Sequence, residues 1–141
     1  FVYNNEKNPI NPLYQKTKVI TSGIDLSFMN SYLPMYFGES DEYTYNLQIN
    51  VNEKKTKRSV ETNQATSNLR YELRFYYTLT SIKNNCITFE KEIVSYFSII
   101  PKSSGYNYGA DTSLEKKYEL AVSDNLNQFV SILSDISLDN C

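Results

Sequence analysis

Leu69-Arg-Tyr-Glu-Leu-Arg-Phe-Tyr-Tyr-Thr-Leu79 is the stretch whose reading decides the fold. Every odd position is apolar or aromatic: Leu69, Tyr71, Leu73, Phe75, Tyr77 and Leu79. The even positions are Arg70, Glu72, Arg74 and Thr78, with Tyr76 the one aromatic among them. A side-chain period of two buries one face and wets the other, so these residues predict a long, half-buried β-strand.

The same period appears on both sides of it. Tyr43, Tyr45, Leu47, Ile49 and Val51 alternate with Thr44, Asn46, Gln48, Asn50 and Asn52, a second strand that can continue through Val60. The polar stretch 62–68 then supplies a turn into the opening strand. Lys83-Asn84-Asn85 is a further turn signal, followed by a strand over 87–100 with Ile87, Phe89, Ile93, Phe97 and Ile99 on one face. A simple hairpin about that turn places Arg74 opposite Glu92 and Tyr76 opposite Glu90.

Helical spacing takes over at the two ends. Lys16 to Ile20 reads as a short strand. Ser22, Gly23 and Asp25 then offer a helix start, with Leu26, Met29, Leu33 and Tyr36 at helical intervals. Pro34 lacks an N–H and clashes with the carbonyl of Asn30, which predicts a kink or a stop near Leu33. After a loop over 101–109, Thr112 and Glu115 have the spacing of a capping box. Leu114, Tyr118, Val122, Leu126, Phe129, Leu133 and Ile136 follow on one stripe and predict a long amphipathic helix over 113–137. The sum is an α+β domain spanning 1–141: a two-layer sandwich of about four largely antiparallel strands with two helices on one face. Residues 1–15, rich in Asn and Pro, read as an extended lead-in.

Composition narrows the function classes. Fourteen basic and sixteen acidic residues leave the chain nearly neutral, which gives no pull toward nucleic acid. Thirteen Tyr, seven Phe and no Trp suit a two-faced sheet whose rings pack while the hydroxyls stay wet. Histidine is absent, which removes the commonest general base and the commonest metal ligand. Two cysteines, Cys86 and Cys141, are too few for a thiolate zinc site. They allow one disulfide, which implies an oxidising compartment, although spacing alone does not set their distance. No nucleophile or carboxylate-pair motif stands out, so the expectation is a protein without catalysis, cofactor or metal.

The order of elements resembles the LPS-assembly lipoprotein LptE family, in its α-proteobacterial type. The residues that carry the likeness lie over 66–133. They are the alternating run ending in Tyr77-Thr-Leu79, the segment Glu92-Ile-Val-Ser-Tyr96, the loop Gly105-Tyr-Asn-Tyr108 and the helix 115–133 with Ala121. Pro12-Leu13-Tyr14 is similar to the segment after the lipidated cysteine of such proteins. The resemblance implies a non-enzymatic lipoprotein at the periplasmic face of the outer membrane, anchored by an N-terminal lipid ahead of Phe1. It implies two partners, the LptD β-barrel, which it would plug and help assemble, and lipopolysaccharide. The alternative is another exported α+β lipoprotein, such as an accessory subunit of a lipid-transport ABC system.

Lys54, Lys55, Lys57 and Arg58 are the one dense basic run, and with Arg70 they are the candidates for lipopolysaccharide phosphates. The plainer reading is a solvated hairpin tip whose lysines discourage edge pairing, and charge runs more often serve that purpose. Tyr106 and Tyr108, between two glycines, are the candidate aromatic contacts for a partner. The plainer reading of these two is a crossover loop.

Overall fold

The structure is a computed structural model that describes residues 11–24, 26, 28–59, 67–99, 107–136 and 138, with side chains left out at 57–59, 67, 68 and 107–113. Its elements run β1 (Thr17–Gly23), α1 (Met29–Phe37), β2 (Tyr45–Ser59), β3 (Ser67–Ser81), β4 (Cys86–Ile99) and α2 (Asn107–Ser134). The four strands form one sheet in the order β1-β2-β3-β4. β1 and β2 run parallel because the chain crosses over between them through α1, while β2–β3 and β3–β4 are antiparallel hairpins. The α+β architecture with a largely antiparallel sheet is therefore as the alternation predicts.

Period-two patterning is realised directly. Tyr45, Leu47, Ile49 and Val51 of β2 and Tyr71, Leu73, Phe75, Tyr77 and Leu79 of β3 are all buried, on the face that carries both helices. Met29, Leu33 and Phe37 of α1 and Val122, Leu126, Phe129 and Leu133 of α2 complete a single apolar cluster with these residues, Tyr71 apart. A methyl-for-isobutyl change at any fully buried leucine of this cluster costs about 2–5 kcal/mol, because the surrounding layer cannot collapse onto the void. The fifteen residues of β3 give a strand ~50 Å long, and the twenty-eight of α2 a helix ~42 Å long. One helix therefore covers most of the strand's length.

The β3–β4 register differs from the expectation, and two local features account for it. Ser81 pairs with Cys86 around a four-residue turn, 82–85, in which Asn85 adopts φ 54. Asn tolerates that left-handed conformation better than most side chains. The ladder then shifts between Leu79 and Thr80, so that Leu79 faces Phe89 while Thr80 faces Ile87. Turn and bulge each add one residue. Arg74 accordingly lies opposite Val94, not Glu92, and Tyr76 opposite Glu92, not Glu90. The bulge also turns Ile87 out of the face it shares with Phe89 by sequence alone, leaving it 51% exposed.

Three boundaries move as well. α1 begins at Met29, not near Asp25, because Gly23 still belongs to β1. It also runs through Pro34 to Phe37: the helix is short, and Gly38 N–H closes its last turn on the Pro34 carbonyl at 2.8 Å. α2 starts at Asn107, so Thr112 and Glu115 lie inside the helix instead of capping its first turn. Residues 11–15 are not extended. Asn11 Oδ1 accepts the Leu13 N–H at 3.0 Å, and the resulting turn inserts Leu13, fully buried, into the core. Cys86 is disulfide-bonded, and the chain's other cysteine, Cys141, lies outside the described residues.

Gly23 ends β1 at φ +100, and a Cβ there would stand 2.0 Å from the Val51 carbonyl oxygen of the neighbouring strand. Neither the backbone conformation nor the space admits a side chain. Gly23→Ala is expected to destabilise the domain by about 2 kcal/mol or more, read as a lower urea midpoint with an unchanged slope. A midpoint equal to that of the unmodified protein would refute the assigned end of β1.

Candidate functional site

With both helices on one side, the other side of the sheet is uncovered among the described residues. Alternation sends Asn46, Gln48, Asn50, Asn52 and Lys54 of β2 to it, with Arg70, Glu72, Arg74, Tyr76 and Thr78 of β3. β4 adds Glu90, Glu92, Val94, Tyr96 and Ser98 by register. This open face is the candidate functional surface. It is polar for most of its length, but Tyr76 and Tyr96 remain about half exposed on it.

Charges on this face are mutually engaged. The Arg74 guanidinium donates to Glu92 at 3.2 Å and to Glu72, so one cation serves two carboxylates. The Glu92 contact is diagonal in the ladder, which explains how Arg74 reaches it although Val94 is the residue opposite. Those two carboxylates raise the Arg74 pKa. Arg70 lies over the Tyr96 ring, 4.6 Å from its centroid, and Lys54 is opposite Glu72.

The basic run does not form one patch. Lys54 projects to the open face, whereas Lys55 lies opposite Tyr71 on the helix side, its ammonium 5.7 Å from that ring. Lys57 and Arg58 register against Leu69 and Asn68 in the strand ladder, and their side chains fall outside the described residues. A run of consecutive charges on a strand is divided between two faces by the pleat. Of the five candidates for an anionic ligand, the structure thus places Lys54 and Arg70 together on the open face and sends Lys55 to the other. Tyr108 lies within α2, so it does not stand in a crossover loop, and Tyr106 lies outside the described residues.

The helix side holds the residues that sequence reasoning missed. Asn125 is fully buried in the middle of the apolar stripe of α2. Its Nδ2 donates to the Ile93 carbonyl at 3.1 Å and to Ser95 Oγ at 2.9 Å, and its Oδ1 accepts the Tyr77 hydroxyl at 2.6 Å. The signal was there in part: Asn125 stands three residues after Val122 and four before Phe129, a polar residue on an otherwise apolar stripe. On either side of it α2 is held by aromatic stacks. Phe129 lies flat on Tyr77, centroids 3.9 Å apart at 6°. Tyr118 meets Phe97 and Tyr71 edge-on at 5.2 and 5.6 Å, and its hydroxyl donates to Glu53.

Among the described residues, no group of three or more His, Cys, Asp or Glu side chains could hold a metal ion, and no helix is long and apolar enough to cross a membrane.

No protein-family model matches the chain, and no curated protein sequence matches it. Solved structures do. A candidate lipoprotein from Caulobacter crescentus CB15 is similar over 82% of this chain and 87% of its own, at TM-score 0.57 and 11% identity. A minor lipoprotein from Acinetobacter baumannii is similar over 87% and 93%, at TM-score 0.54 and 12% identity. A candidate neuraminyllactose-binding hemagglutinin homologue from Helicobacter pylori matches over 88% and 85%, at TM-score 0.51 and 11% identity. This chain has the fold of those bacterial proteins. Identity this low carries the fold and nothing finer.

Burial, and after it the electrostatic influence of Tyr36, hold the Tyr77 phenol well above its ordinary value of 10.0, and burial with the Glu53 carboxylate raises Tyr118 from the same value. A raised folded-state value means the neutral phenol stabilises the fold fully below pH 10.0 and progressively less above it. The melting temperature is therefore expected to hold between about pH 8 and 10 and to fall above that. Tyr77→Phe should cost about 1–3 kcal/mol at neutral pH by leaving Asn125 Oδ1 unpaired. The same variant should flatten the alkaline fall. Loss of stability in Tyr77→Phe with an unchanged alkaline slope would contradict this assignment.

Proposed function

We propose that this chain is the folded domain of a non-enzymatic outer-membrane lipoprotein of the LptE type. In this reading it is lipid-anchored at the periplasmic face, plugs the LptD β-barrel and assists its assembly, and helps lipopolysaccharide reach the cell surface. The observation that carries the reading is a fold shared, over more than four-fifths of both chains in each case, with two proteins described as lipoproteins. The disulfide at Cys86 fits an oxidising compartment such as the periplasm. A sheet face about 50 Å long, uncovered among the described residues, gives a partner a rigid, preformed surface.

On that face Lys54 and Arg70 are the cations suited to lipopolysaccharide phosphates, since Arg74 is already committed to Glu72 and Glu92. Each charge-assisted contact is worth about 1.5–3 kcal/mol. The double variant Lys54→Ala, Arg70→Ala should therefore bind purified lipopolysaccharide at least about tenfold more weakly in low salt, with its far-ultraviolet spectrum unchanged. Equal binding by the two proteins removes the open face as the lipid site. The barrel partnership has its own test: expressed in its native cell with a C-terminal tag, the protein should bring down a large β-barrel. Recovery of no barrel, from a precursor with no export signal, would overturn the reading.

A further inference from the structure

β4 is an edge strand, and its two halves are built differently. The 86–92 half carries the protections that natural edges use: a bulge beside Thr80, the acidic residues Glu90 and Glu92, and Lys91, a charge at a position facing Tyr77 on the helix side. The 93–99 half carries none. It reads Ile-Val-Ser-Tyr-Phe-Ser-Ile, with no charge and no proline. The opposite edge, β1, is only seven residues long and carries Lys18.

The unprotected half also opens onto a groove. Between strand residues 94–97 and the flank of α2 lies a hollow of about 420 Å³ whose helix side includes Lys117, Leu120, Ala121 and Asp124. Leu120 is 64% exposed there and Tyr96 is 52% exposed on the open face. Among the described residues, Leu120 stands largely uncovered between the charged Lys117 and Asp124. The groove and the uncharged strand coincide along the chain, so an added strand would cover both together.

We propose that this half-edge pairs with itself. Two copies of the chain join antiparallel along 93–99 about a two-fold axis at Tyr96, making one continuous eight-stranded sheet from two four-stranded ones. The uncharged half-edge admits a second copy without repulsion, and charge complementarity on the helix flank, Lys117 against Asp124, selects it as the occupant. Pairing about Tyr96 sets Ile93 against Ile99, Val94 against Ser98 and Ser95 against Phe97, so that no two like charges face each other across the ladder. Moving the axis to Lys91 would oppose Lys91 to itself and Glu90 to Glu92, which is unfavourable. Helix flanks meet antiparallel over the same axis. That brings Lys117 of one copy within reach of Asp124 of the other and covers Leu120 with its symmetry mate. The interface uses the β4 edge and the flank of α2 and not Lys54 or Arg70 of the open face, so loss of the dimer and loss of lipopolysaccharide binding are read separately.

Sedimentation of the purified domain tests this without any other partner. A particle of twice 16.4 kDa is expected at micromolar concentration. Tyr96→Lys, which places two cations at the axis on an exposed position, should weaken the dimer at least tenfold, and Leu120→Lys should do so from the helix side. Ile20→Lys, an exposed residue of the far edge, should leave it intact. Melting curves confirm that each variant is folded, and Leu120→Lys keeps the test alive if Tyr96→Lys is not. A protein that stays monomeric at about 100 µM overturns the proposal, since a Kd weaker than that is not a stable dimer. So does a dimer broken only by Ile20→Lys, or a monomer that instead takes up an unrelated strand peptide at β4.

Discussion

Asn125 holds the two layers in one relative position. A fully buried amide left without partners would cost several kilocalories, so the helix is stable only where Tyr77, Ser95 and the Ile93 carbonyl all meet it. An apolar stripe alone would let α2 slide along the sheet at little cost, because hydrophobic attraction is not directional. The amide removes that freedom and ties the edge strand β4 to the helix. Two aromatic anchors then keep the helix aligned. Tyr118 meets Tyr71, and Phe129 meets Tyr77. The separation of the anchors is ~16 Å along the helix and ~20 Å along β3, so α2 runs nearly along the strand.

That alignment decides what the molecule offers to partners. Both helices sit on one face, and Tyr36 of α1 bonds to Ser123 of α2, so the helical layer is itself tied together. Among the described residues, nothing covers the opposite face of the sheet. It is not a bare apolar surface: Arg74 with its two carboxylates and Arg70 over Tyr96 keep it polar and ordered. Exposed ion pairs of this kind add little stability. Among the described residues, Lys54 and Arg70 are left as cations with no carboxylate bound to them, while Arg74 is committed.

The charge run at 54–58 shows where local reading stops. In the sequence it is one basic cluster, because neighbours in the chain are counted together. On a pleated strand neighbours point to opposite faces, and Lys54 and Lys55 end on different layers. Conversely Arg74 and Glu92 do meet, although the register that suggested it was displaced by the turn at 82–85 and the bulge beside Thr80. A contact can survive a register error when the residues lie within diagonal reach. Ile87 did not survive it, since one inserted residue inverts the side of every residue beyond.

Alternation over 43–51 and 69–79 determined, by itself, that this chain is a sheet with one wet face, and the stripe from Leu114 to Leu133 determined that a long helix covers the other. Those are properties of period, and period is local. Tertiary structure decided the rest: that Asn125 is buried as a hub, that Leu13 belongs to the core, that Pro34 lies within a helix, and that the basic run is split. Each depends on what stands opposite in space, because a polar group can be buried only where partners converge on it. No pattern along the chain contains that information.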